Sequence, residues 1–200
     1  MESNNSVGAI ILAGGKGTRF RQQKQFVQFH GKELWRHVFD KVLQLIPREH
    51  VVVVGVDVPG GETRSGSVMN GLAALAPCAK VLLVEAARPL VTLEQLQQLI
   101  QTPADSLTFV APCVDTIIMK DKTYLDRSEC LRLQTPQAFN YSLLKEAYDT
   151  GKYTDMTDET RVLYQEYGIP PTFLQGGENL YKVTYPKDLA FLESNMADFF

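Results

Sequence analysis

The sequence predicts an α/β fold built as a three-layer α/β/α sandwich around a mostly parallel sheet. Apolar runs without alternation occur at 7–12, 51–56, 81–84 and 107–111, and such runs suit parallel strands that are covered on both faces. Apolar residues at helical spacing occupy the intervals between these runs. Strands that alternate with helices along a chain are the pattern of this sandwich.

The intervals between the strands carry specific helix signals. Apolar side chains recur at helical spacing from 34 to 46, and Pro47 ends that segment. Two further helices are expected at 67–75 and 92–100. The second begins with Thr92, and a glutamine follows three residues later, which is the pattern of a capping box.

The segment 115–132 breaks this alternation because it is short, polar and rich in turn residues. It lies between two β-like stretches, 116–119 and 130–133, and we expect a protruding β-arm over about 115–133. No repeat or linker divides the chain, so we expect a single domain over 1–200. Beyond the arm the sequence predicts, in chain order, helices at 141–149 and 157–167, a strand at 172–174, a β-like stretch at 180–184 and a helix after Pro186.

Composition and charge exclude several classes of protein. The 200 residues are 44% apolar and 22% charged, which is typical of a soluble globular domain. The formal net charge is −3, so no general basic field is available to hold a nucleic acid. We expect no signal peptide, because the start of the chain lacks a basic region and the apolar run 7–13 stops at Gly14. We expect no membrane span, because no apolar run reaches the roughly 18 residues that a span needs.

The cysteines and histidines indicate no metal site of their own. Cys78, Cys113 and Cys130 form no Cys-x-x-Cys pair, and their odd number fits reduced, cytoplasmic thiols better than an oxidising compartment. The three histidines lack the spacing of metal ligands. We therefore expect a cytoplasmic protein without zinc.

The first predicted strand runs directly into a glycine-rich loop. Gly14, Gly15 and Gly17 follow Ala13, and Arg19 adds a positive charge. Glycines let backbone N–H groups approach a phosphate closely. The loop is neither a Walker A motif nor the Gly-x-Gly-x-x-Gly of dinucleotide folds. Taken alone, it is either a phosphate-binding loop or a tight corner between a strand and a helix.

Further motifs follow this loop along most of the chain. In order, they are Lys24-Gln25-Phe26, Gly60-Gly61-Glu62-Thr63-Arg64, Ser67-Val68-Met69-Asn70-Gly71-Leu72, Glu85-Ala86-Ala87-Arg88-Pro89, Gln134-Thr135-Pro136-Gln137, Thr157-Asp158-Glu159 and Lys182-Val183-Thr184. The set resembles the cytidylyltransferase family that includes 2-C-methyl-D-erythritol 4-phosphate cytidylyltransferase and the ribitol 5-phosphate cytidylyltransferases. The resemblance implies a Rossmann-like nucleotidyltransferase fold. It also implies transfer of CMP from CTP to a small phosphorylated polyol, with release of pyrophosphate.

The resemblance further implies roles for individual residues. Arg19, Lys24 and Lys182 would act on the reacting phosphates, and Mg²⁺ would bind at Glu85. The residues implied to bind CTP are Ala13, Gly14, Gly15, Gly17, Gly61, Glu62, Arg64 and Ser67. The residues implied to bind the acceptor are Arg88, Thr116, Arg127, Thr135, Thr157 and Asp158.

Four of these assignments have a purely structural alternative. Lys24 is alternatively a solvated loop lysine, and Ser67 is alternatively only a helix N-cap. Glu85 is alternatively a structural carboxylate paired with Arg88, and Arg127 is alternatively an exposed turn arginine.

The resemblance also bears on partners. CTP and a small anionic acceptor are the expected ligands, and neither nucleic acid nor a membrane is expected. In the family the arm crosses to a second subunit. We therefore expect a homodimer in which Arg127 and Thr135 help to form the partner's acceptor pocket.

The identity of the acceptor stays open in the sequence. 2-C-Methyl-D-erythritol 4-phosphate is the leading candidate, and ribitol 5-phosphate and 2-aminoethylphosphonate are alternatives. Two departures from the family pattern bear on this choice: Val84-Glu85 replaces His-Asp, and Ile118 stands where a lysine is common. Two different functions also stay open, that of a sugar 1-phosphate nucleotidylyltransferase and that of a non-catalytic CTP-binding protein.

Overall fold

The structure, a computed structural model, describes residues 6–195. The helices in this part of the chain are α1 (Leu34–Val42), α2 (Arg64–Ala74), α3 (Leu93–Gln101), α4 (Tyr141–Asp149), α5 (Glu159–Tyr167) and α6 (Pro186–Asn195). The strands are β1 (Val7–Leu12), β2 (Gln28–Phe29), β3 (Lys32–Glu33), β4 (Val51–Val54), β5 (Lys80–Glu85), β6 (Ser106–Pro112), β7 (Ile117–Ile118), β8 (Tyr124–Leu125), β9 (Leu131–Asn140) and β10 (Thr172–Gln175).

Six strands form the central sheet, in the order β10-β6-β9-β5-β1-β4. Five of them run in the same direction, and β9 is antiparallel to both of its neighbours. The sheet is therefore mostly parallel, and the predicted fold class is confirmed. The register aligns Leu12 at the end of β1 with Glu85 at the end of β5. The glycine-rich loop and Glu85 consequently leave the sheet side by side.

The core has two parts, one on each face of the sheet. Alternate residues of β1 point to opposite faces, as the geometry of a strand requires: Ile11 joins a cluster with Trp35 of α1 and Leu96 of α3. Ile10 joins the other cluster, which contains Leu72 of α2 and side chains from α4 and α5. Helices thus cover both faces, which explains why the strands read as uninterrupted apolar runs. No helix among residues 6–195 is both long and apolar enough to cross a bilayer.

Several predicted elements are confirmed, and two boundaries shift for a clear reason. The predicted strand 7–12 and helix 141–149 match the observed bounds, and the capping box at Thr92 is present. The helix predicted at 67–75 begins earlier, because Thr63 caps it by accepting a hydrogen bond from the backbone N–H of Gly66. The helix predicted at 157–167 begins later, because Asp158 is its N-cap.

The prediction of a β-like stretch at 180–184 is wrong. Residues Glu178–Leu180 form a 3-10 turn, and an irregular segment follows. Leu180 and Val183 are fully buried, so their apolar character reflects packing rather than strand pairing. One backbone bond, from the N–H of Val183 to the carbonyl of Ala87, fixes the segment beside the end of β5.

The segment predicted as a β-arm, about 115–133, contains a two-stranded hairpin. Its hairpin is formed by β7 and β8, whereas residues 130–133 lead into the long strand β9, which pairs with β6. The sequence hides β9 because Pro136 argues against a central strand. The ladder shifts register here, so that Thr135 and Pro136 face no residue of β6. A bulge of this kind tolerates the missing N–H of proline.

Candidate active site

A cleft of about 500 Å³ opens where β1 and β5 end. Open α/β sheets place ligands at the carboxyl ends of their parallel strands. We call this the glycine-loop cleft. Of the residues singled out in the sequence, those that line it are Ala13, Gly14, Gly15, Arg19, Lys24, Gly61, Glu62, Arg64, Ser67, Glu85 and Lys182. The fold thus collects residues from five separate segments of the chain.

The glycines of the loop serve different purposes. A Cβ on Gly14 would lie 2.7 Å from the Cα of Gly60, so Gly14 is needed for close packing of two loops. Gly17 has a φ of +64°, and a Cβ there would lie 1.8 Å from the carbonyl oxygen of Gln22. Gly15 has open space around its Cα. Gly17 is therefore a turn residue outside the cleft wall, whereas Gly15 leaves the backbone accessible to a ligand.

Ser67 fixes the opposite wall of the cleft. Its hydroxyl accepts a hydrogen bond from the N–H of Gly61 at 3.0 Å and donates to the carbonyl of Thr63 at 3.2 Å. Ser67 lies inside α2, so the interpretation of Ser67 as the N-cap is wrong. Its hydroxyl instead holds the Gly61 loop against the helix.

Glu85 is the centre of a buried ion-pair network. One carboxylate oxygen lies 3.3 Å from Nε of Arg64, and the other lies 2.5 Å from Nζ of Lys182. Burial opposes ionisation of Glu85, but the charges of Lys182, Arg64 and Arg88 outweigh it and lower its pKa to about 2. The carboxylate is therefore ionised at any working pH.

The alternative pairing of Glu85 with Arg88 is wrong as a direct contact. The Nε of Arg88 donates to Oγ1 of Thr135 at 2.7 Å, and its Nη1 donates to the carbonyl of Leu180. Burial lowers the pKa of Arg88, and Glu85 counteracts this from a distance.

Lys24 and Lys182 are brought together although they lie 158 positions apart in the sequence. Nζ of Lys24 donates to the carbonyl of Val183 at 2.7 Å, so Lys24 is not a solvated loop lysine. Burial and the charge of Lys182 together lower the pKa of Lys24 to about 8. Two ammonium groups and the exposed Arg19 therefore face one cleft, which suits a ligand with several negative charges.

A second cavity, of about 930 Å³, lies beside the first and contains Lys182 in its wall as well. We call it the arm-root cavity because it extends to the base of the arm. Its other charged residues include Arg88 and Arg132, and Tyr181 and Tyr185 provide aromatic surface. Lys182 is the predicted site residue common to both cavities among the residues described.

Five of the residues assigned to the acceptor line neither cavity. Thr135 is buried behind Arg88, and Asp158 caps α5 while accepting a bond from Gln137. Thr157 is exposed on the same segment. Thr116 and Arg127 lie in the arm, where Nη1 of Arg127 donates to the carbonyl of Val114 at 2.5 Å. Their roles toward the acceptor stay predictions.

Glu159 belongs to the Thr157-Asp158-Glu159 motif, but no role was predicted for it. Its fully buried carboxylate accepts from Nη1 of Arg64 at 2.5 and 2.6 Å and from the hydroxyl of Tyr148 at 2.9 Å. An acidic residue in the first turn of a helix is ordinary, so no sequence signal distinguished it. Burial raises the pKa of Glu159, while Glu159 and Glu85 raise that of Arg64. Both oxygens of Glu159 lie within hydrogen-bond distance of one guanidinium nitrogen, and so close a contact with a cation favours the ionised carboxylate.

The carboxylates of the glycine-loop cleft could bind magnesium only together with other ligands. Among the described residues, no group of three His, Cys, Asp or Glu side chains is arranged to hold a metal ion. The cleft wall offers two carboxylates, Glu62 and Glu85. Mg²⁺ commonly binds to one or two carboxylates, with phosphate oxygens and water as its other ligands. The residues therefore fit a magnesium ion that enters with a triphosphate, rather than a cage made by the protein alone.

Comparison with known proteins identifies the family. The family model described as "IspD: 2-C-methyl-D-erythritol 4-phosphate cytidylyltransferase" matches residues 40–198. The enzyme of that name from Geobacillus kaustophilus is 34% identical to this chain. The alignment covers 94% of this chain and 96% of the relative. The chain belongs to this cytidylyltransferase family.

Other relatives and solved structures agree with this assignment. The 2-C-methyl-D-erythritol 4-phosphate cytidylyltransferase of Mannheimia succiniciproducens is 32% identical, with 92% of this chain and 93% of the relative covered. The bifunctional IspDF structure from Campylobacter jejuni superposes with a TM-score of 0.81 at 28% identity, covering 92% of this chain and 53% of that one. The Anaerococcus prevotii 4-diphosphocytidyl-2C-methyl-D-erythritol synthase gives 0.80 at 21% identity, with 96% of both chains covered, and supports the fold.

Members of this family are cytidylyltransferases, so a sugar 1-phosphate nucleotidylyltransferase is not favoured. The family match alone does not assign a role to any one residue. The ion-pair network and the two adjoining cavities provide that part of the evidence.

Proposed function

We propose that this chain transfers CMP from CTP to 2-C-methyl-D-erythritol 4-phosphate and releases pyrophosphate. The observation that supports this most is the position of Lys182 in the walls of two adjoining cavities. Each cavity has further cations of its own. Two anionic substrates can thus meet at one ammonium group.

The glycine-loop cleft is proposed to bind CTP. Backbone N–H groups near Gly14 and Gly15, with the guanidinium of Arg19, suit a triphosphate. The wall formed by Gly61 and Ser67 supplies backbone groups and a hydroxyl for the edge of a pyrimidine. Its rigidity, imposed by the bond from Gly61 to Ser67, favours recognition of one base.

The transfer step needs charge neutralisation and alignment more than acid–base chemistry. A phosphate oxygen of the acceptor forms a bond to the α-phosphorus, and the bond from that phosphorus to the bridging oxygen of pyrophosphate breaks. Negative charge concentrates around the phosphorus as this happens. Lys24 and Lys182 are placed to stabilise that charge, and Glu85 holds Lys182 in position.

Magnesium is proposed to accompany CTP, on the chemistry of the donor set described above. Bound with the triphosphate, it would neutralise phosphate charge and favour departure of pyrophosphate. Glu85 is the carboxylate proposed to approach it. Every other catalytic contribution in this proposal comes from side chains and backbone groups of the protein.

The arm-root cavity is proposed to bind the acceptor through Arg88 and Lys182. Of the two departures that left the acceptor open, Val84 is fully buried in the core of the sheet and lines neither cavity. Ile118 is half exposed on the arm. Val84 therefore contributes no surface to either cavity, which favours the acceptor of the family's name.

A homodimer is proposed from the surface of the arm and its root. Large apolar side chains are exposed there, among them Val114 at 67% and Tyr124 at 71%. A concentration of exposed apolar surface on a protruding element is typical of an interface. A second copy of the chain would cover it and bring Arg127 toward the neighbouring site.

We also place the reaction in a reducing compartment such as the cytoplasm, since all three cysteines are free.

An acceptor panel tests the proposed function. Pyrophosphate release from CTP with magnesium is measured with 2-C-methyl-D-erythritol 4-phosphate, ribitol 5-phosphate and 2-aminoethylphosphonate. We expect the first to give the highest kcat/KM. Release with ribitol 5-phosphate alone would transfer the proposal to that acceptor. CTP binding without release for any acceptor would favour a non-catalytic CTP-binding protein.

A further inference from the structure

We propose that Glu159 is a positioning residue that acts through Arg64 to orient the Glu85–Lys182 ion pair at the transfer site. This inference rests on the proposed function. Glu159 lines neither cavity, so its effect would be indirect.

The contacts form an unbroken chain from the helix to the cleft. Glu159 lies in the first turn of α5 with no exposed surface. Both of its carboxylate oxygens lie within 2.6 Å of Nη1 of Arg64. Nε of the same guanidinium lies 3.3 Å from one oxygen of Glu85, and the other oxygen lies 2.5 Å from Lys182. Charges alternate in sign along this chain.

The guanidinium of Arg64 is shared between two carboxylates. Nη1 of Arg64 is held by Glu159, and Nε is the nitrogen of Arg64 within hydrogen-bond distance of Glu85. Without the charge of Glu159, the guanidinium is free to rotate and bind both oxygens of Glu85, since bidentate pairing is the preferred geometry of arginine with a carboxylate. The oxygen of Glu85 that contacts Lys182 would then be shared with Arg64.

Stability alone is a weak explanation for this arrangement. Removing charges from water costs free energy, and a buried ion pair often contributes little net stability compared with apolar residues of similar volume. A role in fixing geometry is better supported, because the chain of contacts ends at Lys182 in the wall shared by both cavities. Small displacements of a positioning group are costly in catalysis, roughly 10²-fold in rate for about 1 Å.

The test compares Glu159→Gln with Tyr148→Phe. The first keeps the size of the side chain and removes its charge. The second removes the other hydrogen-bond partner of Glu159, at 2.9 Å, and leaves the ion pair with Arg64 intact. We expect kcat of Glu159→Gln to fall by about tenfold or more, with the Kd for CTP unchanged by calorimetry. We expect kcat of Tyr148→Phe to stay at the wild-type value.

Thermal unfolding of each variant separates positioning from folding. If Glu159→Gln does not fold, Glu159→Asp decides the question, because it keeps the charge and only shortens the reach. Its kcat should then lie below that of the wild type. If Glu159→Gln folds and has the wild-type kcat, the inference is overturned. If Glu159→Gln does not fold, a wild-type kcat for Glu159→Asp overturns it. An inactive wild-type enzyme would instead refute the proposed function, and this inference with it.

Discussion

The charge state and role of Glu85 depend on the side chains around it. Its carboxylate is almost completely buried, yet it is surrounded by cations from three different segments of the chain. The strand end where it lies was visible in the sequence, because an acidic residue follows an apolar run. The partners were not visible, since Arg64 and Lys182 reach it through tertiary structure alone.

Replacing Glu85 by glutamine should reduce both stability and turnover. Removal of one partner from a buried ion pair typically costs about 3–5 kcal/mol in the free energy of unfolding. We expect a loss toward the lower end of that range, because Arg64 keeps Glu159 as a counter-charge and Lys182 is partly exposed. Urea denaturation at pH 7 measures this loss. Unchanged stability together with unchanged turnover would show that the network is energetically and functionally neutral.

The same residue predicts how stability changes in acid. The pKa of Glu85 is about 2 in the folded protein and 4.5 in its ordinary range. Its contribution is therefore complete above pH 4.5 and is lost as the pH falls from 4.5 toward 2. The free energy of unfolding should decline over that window in the wild type and decline less in Glu85→Gln. Parallel declines in the two proteins would contradict this.

The lowered pKa of Lys24 predicts that activity falls at alkaline pH. Since its pKa is lowered to about 8, the ammonium loses its proton as the pH rises through 8. The kcat/KM for CTP, which reports ionisations in the free enzyme, should fall over this range. Lys24→Arg keeps its charge to much higher pH and should flatten the profile, even if its absolute rate is lower. If kcat/KM of Lys24→Arg falls over the same pH range as that of the wild type, the ionisation belongs to another group.

At the scale of secondary structure, the accuracy of each prediction depended on how the rest of the fold covers that helix or strand. Strands covered on both faces and helices with one apolar face were predicted closely, because their patterns are local. The strand β9 was missed, since Thr135 and Pro136 lie in a bulge that only the ladder with β6 reveals. The segment that carries Lys182 was assigned to a strand, because buried apolar residues look alike in a strand and in a packed loop.

The register at the root of the arm makes a direct prediction. Ala111 lies opposite Arg132, and Pro112 lies opposite Leu131. Cys113 follows β6 directly and Cys130 precedes β9 directly, so one further step of this ladder would place the two cysteines opposite each other. Opposed residues in antiparallel strands have Cα atoms about 4.5–5.5 Å apart, which falls within the range for a disulfide. Oxidised glutathione should therefore yield a Cys113–Cys130 disulfide with release of two molecules of glutathione.

Peptide mapping by mass spectrometry under non-reducing conditions checks this register. Cys78 is the internal control, because it is buried and burial raises its pKa to about 11, which disfavours the reactive thiolate. Mixed disulfides with glutathione at both Cys113 and Cys130, with no link between them, would contradict the register.

At the scale of the whole molecule, one subunit contains both cavities but not every residue assigned to the acceptor. The sequence predicted most of the glycine-loop cleft, because its residues belong to compact motifs. It did not show that Thr157 and Asp158 lie away from both cavities, or that Thr135 acts behind Arg88. These positions depend on how distant segments pack, which the sequence alone does not show.

A dimer with shared sites should show complementation between inactive variants. Arg127→Ala removes a residue proposed to act on the neighbouring site, and Lys182→Ala removes one that acts within its own subunit. A mixed dimer retains both groups at one of its two sites, so mixing the two variants should restore activity. Sedimentation equilibrium reports the oligomeric state. A fully active monomer, or mixtures no more active than their components, would contradict the shared site.

The position of Lys182 between the two cavities is tested most directly by kcat of Lys182→Ala with CTP and 2-C-methyl-D-erythritol 4-phosphate both saturating. Lys152→Ala is the matched control, since that lysine is exposed and pairs with Glu166 away from the site. We predict that kcat falls by about 10²-fold or more in Lys182→Ala, as expected when a preorganised charge-stabilising group is removed, and is unchanged in the control. A raised KM for CTP with wild-type kcat would show that Lys182 only binds substrate, and would contradict a role in the transfer step.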